Sequence, residues 1–125
     1  MLALALLLAS ALPFHLQDTA GAWHDASEWR GAKAEVLLFI SIDCPICNSY
    51  VPEFARLHAE YAGRGVRFYA VQPDASRDVA DVQKYVVDYH YEFPVLQDPR
   101  QSLTRAVAAT IQPQAVVLSP AGAVL

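Results

Sequence analysis

Cys44 and Cys47 are the only cysteines in the chain, and only Pro45 and Ile46 separate them. A thiol reacts as its thiolate, and two thiols at this spacing can reach each other across one turn. Cys44 could attack a disulfide and form a mixed disulfide, which attack by Cys47 would then release. Pro45 stiffens the small ring and brings no competing backbone donor. Other uses of the pair are weaker. Zinc would need two further ligands at metal spacing, and His15, His24, His58 and His90 are scattered, so no metal is expected. A purely structural bridge would close almost no loop. Two inert buried thiols remain the blandest alternative.

The neighbouring pattern shows how the pair would be presented. Glu35–Ile42 contains an unbroken apolar run, as a central parallel strand covered on both faces should. A helix is expected over Asn48–Ala62, with Tyr50, Val51, Phe54, Leu57 and Tyr61 on one face and a kink at Pro52. Cys44 would then lie at the mouth of a helix starting near Cys47. Unpaired N–H groups and the helix dipole there favour a negative charge and lower the thiol pKa.

Around this centre, 13–18 reads as a short strand, 19–22 as a turn, and Ala26–Trp29 as one helical turn. Val66–Val71 is a strand, followed by a helix over Asp78–His90 capped by Ser76 with Val79, Val82, Tyr85, Val86 and Tyr89 as its stripe. Tyr91–Leu96 is extended and broken by Pro94, as an edge would be. A third helix starts at Asp98-Pro99 and reaches Thr110, and Ala115–Leu118 is a strand. The residues from Ala123 to Leu125 begin another strand. With no partner strand or closing helix after it, that strand predicts a domain truncated at its C-terminus. The alternation makes the fold α/β, with a mixed central sheet flanked by helices.

Composition narrows the function classes. The chain has 125 residues, 54% hydrophobic and 18% charged, which fits one folded domain rather than a disordered segment. A net charge of −4 with scattered Lys and Arg excludes a basic nucleic-acid surface. No apolar run reaches the length of a stable membrane span. Residues 1–12 are almost wholly apolar, and Ala9-Ser10-Ala11 has the form of a signal-peptidase site, although no basic residue precedes it. Residues 1–12 are therefore expected to be a partial signal peptide and 13–125 the domain. That places the protein outside the cytoplasm, or in the periplasm; the cytoplasm is the alternative.

The strand, then Cys44-Pro45-Ile46-Cys47, then Pro52, resembles the thioredoxin superfamily, and most closely its redoxin branch. That branch includes the extracytoplasmic TlpA and ResA type and the AhpC/TSA peroxiredoxin-like group. Further matches follow in order. Pro13-Phe14-x-Leu16-x-Asp18-x-x-Gly21 is similar to the redoxin opening, and Phe93-Pro94-Val95-Leu96-x-Asp98-Pro99 to the segment before the third helix. Ile111-Gln112-Pro113 and the strand after it are similar to the cis-proline loop, and Ser119-Pro120-Ala121-Gly122 to the hairpin turn. The resemblance covers about residues 13–125. It implies a thioredoxin-like fold, Cys44 as attacking and Cys47 as resolving cysteine, and Pro113 as a cis-proline facing them. Gln112, Pro113, Pro45 and Ile46 would touch substrate. The only redox group implied is a Cys44–Cys47 disulfide, without a separate cofactor. The implied partners are protein thiols or disulfides and an electron-donor protein.

Three positions depart from the pattern. Thioredoxins carry a buried acid where Leu38 stands and usually a tryptophan where Asp43 stands. Extracytoplasmic relatives often carry glutamate where Tyr50 stands. The proton acceptor for Cys47 is therefore open, with Asp43 the nearest candidate, although it reads more readily as a solvated loop carboxylate. Asp43 would also repel a thiolate at Cys44. Ser41, three residues before Cys44, matches the Ser/Thr of peroxiredoxins, but the proline expected four residues earlier is Leu37. Three functions follow: a thiol–disulfide oxidoreductase, a thiol peroxidase using Cys44, or a non-catalytic redox-sensing or interaction module.

Overall fold

The computed structural model describes residue 12 and residues 14–125; the signal-like segment lies outside these residues except for Leu12. The central sheet has four strands: β3 (Ala34–Phe39), β4 (Val66–Gln72), β5 (Val95–Gln97) and β6 (Gln114–Leu118). Their order is β5-β4-β3-β6. β4 runs parallel to both β3 and β5, while β6 is antiparallel to β3. This is the mixed sheet expected from the sequence. β1 (His15–Gln17) and β2 (Trp23–Asp25) form a separate antiparallel hairpin.

Alternation along the strands supplies two apolar faces. Leu37, Phe39, Tyr69, Val71, Val116 and Leu118 face one way. They meet Phe14, Leu16 and Trp29 from the N-terminal region and Leu103 of α3 (Ser102–Ala106). Leu38, Ile40, Phe68, Ala70 and Val95 face the other way. They pack on Val51 and Phe54 of α1 (Pro45–Tyr61) and on Val82 and Tyr85 of α2 (Val79–Asp88). β3 is thus buried on both sides, as its apolar run requires.

Several boundaries differ from the sequence reading, each for a local reason. β2 falls between the turn at 19–22 and the helical turn at Ala26–Trp29, where the sequence reading places no strand. His24 holds it there, with Nε2 2.6 Å from Asp18 and Nδ1 2.8 Å from Glu28. α1 starts at Pro45 rather than near Asn48, because proline at the first helical position brings the φ a helix needs. The helix then runs through Pro52 to Tyr61. Its buried stripe is narrower than expected, and Tyr50 and Tyr61 are exposed. Val79 at the start of α2 and Tyr89 at its C-cap are likewise exposed. Asp78, not Ser76, caps α2 by accepting from Ala80 N–H at 2.9 Å. Ser76 instead donates to Asp74. Residues 123–125 make an isolated bridge, Leu118 to Val124, rather than a strand.

The third helix is shorter than read, ending at Ala106, and it hangs on one carboxylate. Asp98 is fully buried and accepts from Leu103 N, Thr104 N, Thr104 Oγ1 and Ser102 Oγ. Asp98→Ala would leave these donors short of a partner. It is expected to lower stability by about 2 kcal/mol, measured by urea denaturation, with Asp98→Asn keeping part of that.

Candidate functional site

β3 delivers the chain to a turn, Ser41 to Cys44, closed by Cys44 N–H donating to the Ser41 carbonyl at 3.1 Å. Cys44 is the N-cap of α1, with extended φ −87° and ψ 109°. Its sulfur accepts from Cys47 N–H at 3.1 Å, and its carbonyl accepts from Asn48 N–H at 3.0 Å. The nucleophile candidate therefore occupies the place a serine or aspartate side chain usually fills. Both cysteines are free thiols, Cys44 partly exposed and Cys47 0% exposed.

The other wall of the site is the loop before β6. The Gln112–Pro113 peptide is cis, the isomer the resemblance implies. Gln114 Oε1 accepts Thr110 N–H at 2.8 Å and Ile111 N–H at 3.2 Å, which fixes the loop. The Gln112 carbonyl lies 3.9 Å from Cys44 Sγ. A cleft of about 140 Å³ opens on this loop, lined by Phe39, Pro73, Gln101, Thr104, Ile111 and Gln112 among others. A larger cavity, about 420 Å³, is lined by His58, Arg67, Phe93 and others, with neither cysteine in its wall. It is not part of this centre. Ile46, two residues after Cys44, and Ile111, next to Gln112, are 61% and 66% exposed.

The two thiols are driven apart electrostatically. Hydrogen bonding from the Cys47 thiol, then from the Cys47 and Ile46 backbone N–H groups, holds Cys44 below the ordinary thiol range. Burial, reinforced by the Cys44 sulfur, pushes Cys47 up to about 11, partly offset by backbone hydrogen bonding from Ser41. Cys44 is thereby the more readily ionised thiol, and Cys47 the one that stays protonated. Ser41 thus acts on both cysteines through its backbone.

The departures from the family pattern are now located. Leu38 is buried beside Ala70 and Ala115 in the sheet. Tyr50 is 48% exposed and stacks on Phe54, so it supplies no acid to Cys47. Asp43 points to solvent and forms an ion pair with Arg77, which also contacts Asp74 at 3.2 Å. Its charge is therefore balanced by Arg77. The sequence reading did not single out Arg77, Gln114 or Asn48. The first two act through contacts between loops that leave no spacing signal. The third follows Cys47 directly and could have been noticed.

The AhpC/TSA family model matches residues 8–125. The chain belongs to the AhpC/TSA family. Among AhpC/TSA relatives, the thiol-disulfide oxidoreductase ResA of Halalkalibacterium halodurans is 28% identical over 115 residues. That match covers 92% of this chain but 64% of ResA, so the chain spans slightly less than two thirds of that relative. A secreted Mycobacterium tuberculosis disulfide oxidoreductase, described as homologous to E. coli DsbE, superposes with TM-score 0.77 at 26% identity, covering 91% of this chain and 81% of that one. A Chlorobium tepidum protein described as a putative thiol:disulfide interchange protein DsbE gives TM-score 0.78 at 26% identity, with coverage of 92% and 79%. The thioredoxin-like redoxin fold of this AhpC/TSA chain follows from these matches together with its sheet order.

Proposed function

We propose that the protein is a thiol–disulfide oxidoreductase acting on protein disulfides. The observation that carries this reading is the arrangement of Cys44. Its sulfur caps α1, lies beside the carbonyl before cis-Pro113, and has a protonated, buried Cys47 one turn behind it. The Cys44 thiolate attacks one sulfur of a substrate disulfide, and the other substrate sulfur leaves as a thiolate and takes up a proton. Cys47 then gives up its proton and attacks the Cys44 sulfur. The bond between Cys44 and substrate breaks, and the second substrate sulfur leaves with the electron pair and takes a proton. The substrate is reduced, and a Cys44–Cys47 disulfide forms. A donor protein's dithiol would reverse that oxidation.

The Gln112–Pro113 edge and Pro45-Ile46 form the surface against which the substrate chain lies. The 28% identity to ResA and the 26% identity to two disulfide oxidoreductase homologues support exchange chemistry. The signal-like N-terminus and the secreted Mycobacterium tuberculosis relative support work outside the cytoplasm. No helix among the described residues is long and apolar enough to cross a membrane.

Insulin reduction tests the reading. The wild type should reduce insulin with a dithiol donor, and Cys47→Ser should accumulate a covalent insulin adduct at Cys44. Rapid peroxide consumption that survives Cys47→Ser, without insulin reduction, would instead make the protein a peroxidase. Neither activity, with the fold intact, would leave a binding module.

A further inference from the structure

The cavity of about 420 Å³ takes no part in the chemistry above. It opens where β3 and β4 begin, between the turn at 30–32, the end of α1 at His58 and Ala62, and Phe93 before β5. Cys44 lies beyond the other end of β3, so the two are roughly 20 Å apart, the length of a six-residue strand. A cavity of this size holds a small organic molecule. Its walls combine two kinds of surface. Phe68 and Phe93 supply an aromatic wall, and the His58 ring packs edge-on to Phe68 at 5.5 Å and lies 5.1 Å from Phe93. Arg30 and Arg67 supply charge. Both are exposed, and neither forms an ion pair among the described residues, whereas Arg56 and Arg77 do.

The fold adds further cations at this end. Lys33 N–H donates to the carbonyl of Gly65, a wall residue, at 2.7 Å. Arg64 directly precedes Gly65 and lies over the Tyr61 ring at 5.3 Å. Pairing of Ala34 with Val66 brings these two basic stretches together from distant parts of the sequence. Four of the nine Lys and Arg residues are thus gathered at one end of a chain whose net charge is −4. Two features oppose a negative guest. One is the C-terminal end of α1, and the other is Glu92 in the wall, its carboxylate 3.9 Å from His58 Nδ1. The four cations outweigh them.

We propose that this cavity binds a small organic anion, its carboxylate or phosphate group paired with Arg30 and Arg67 and its apolar body against Phe68 and Phe93. A guanidinium presents parallel N–H donors that match the oxygens of either group, so two of them grip it from both sides. The guest needs both parts. An inorganic anion leaves the aromatic wall uncovered, and a neutral aromatic leaves both guanidinium groups unpaired. Binding here is separate from thiol chemistry, and no bond is made or broken.

Isothermal titration calorimetry with phenyl phosphate, benzoate, inorganic phosphate and phenol tests it. Phenyl phosphate or benzoate should bind one to one with a Kd on the order of 0.1 mM, and the tighter of the two identifies the charged group. Inorganic phosphate and phenol should each bind about 10-fold more weakly or worse. Arg30→Gln and Arg67→Gln should each weaken the tighter probe about 10-fold, because a hydrogen bond between charged groups is lost. Both side chains are exposed, so these variants should fold, which near-UV circular dichroism checks. Glu92→Gln should tighten binding about twofold by removing a like charge. Arg105→Gln, on α3 and outside the cavity wall, should change nothing. The proposal is overturned if neither organic anion binds, if inorganic phosphate binds as tightly, or if Arg30→Gln and Arg67→Gln have no effect. Equal weakening by Arg105→Gln, or weakening by Glu92→Gln, overturns it as well.

Discussion

Cys44→Ser is expected to lower disulfide exchange by roughly 10³-fold or more while leaving the fold intact. The geometry separates these effects. Serine is a good N-cap, so its hydroxyl can accept the Cys47 N–H that the sulfur now accepts at 3.1 Å. What disappears is an ionisable nucleophile, since a serine hydroxyl has no base here to activate it. The pH dependence provides a second measurement. Cys44 is held below the ordinary thiol range, so its alkylation rate should already be rising at pH values where a free thiol is still protonated. Cys47 is buried and lifted to about 11. Mass spectrometry after brief alkylation at pH 7.5 should therefore find one label on the wild type and essentially none on Cys44→Ser. Ready labelling of Cys44→Ser under these conditions would sink the assignment of roles.

Glu35→Gln should stabilise the protein above neutral pH and change little near pH 4. Glu35 stands on β3 between Arg67 and Leu118 in the sheet register, is 0% exposed, and neither carboxyl oxygen has a hydrogen-bond partner among the described residues. Burial raises its pKa to about 7 from the ordinary 4.5. The folded state therefore holds this proton more tightly than the unfolded chain does. The stability it contributes is complete below about pH 4.5 and is lost as pH rises through about 7. The whole shift corresponds to about 3 kcal/mol, an upper figure because the folded chain can relax around a charge. A glutamine at this position does not titrate, so the gain from Glu35→Gln should grow across that window and then level off. Urea denaturation of both proteins at pH 4.5 and pH 8 measures it. A difference that is the same at both pH values would refute the role of this carboxyl.

The turn that carries Cys44 and Cys47 was largely readable because its signals are local. An apolar run must be a buried strand, and two cysteines one turn apart have few uses. The order of elements around them was also legible, down to a mixed sheet. What the sequence did not reveal depends on tertiary contact. β2 is three residues long, with Trp23 exposed, and is held by His24 between two carboxylates rather than by any alternation. The cap of α2 went to Asp78 because Ser76 was already committed to Asp74. Helical period placed Tyr50 and Tyr61 inward, yet nothing among the described residues buries that edge of α1. Asp43 looked like a free charge beside the nucleophile until Arg77, from a different loop, was found against it.

Cys44 has two tasks that cannot be done at once. As a thiolate it closes the end of α1 and takes up the Cys47 N–H. Bonded to another sulfur it carries no charge and accepts poorly, so the first turn of the helix loses its stopper. Each disulfide formed at Cys44 would therefore uncork the helix, and each reduction would cork it again. The dithiol is the corked state, and the helix end acts as a spring that pushes the pair back toward it.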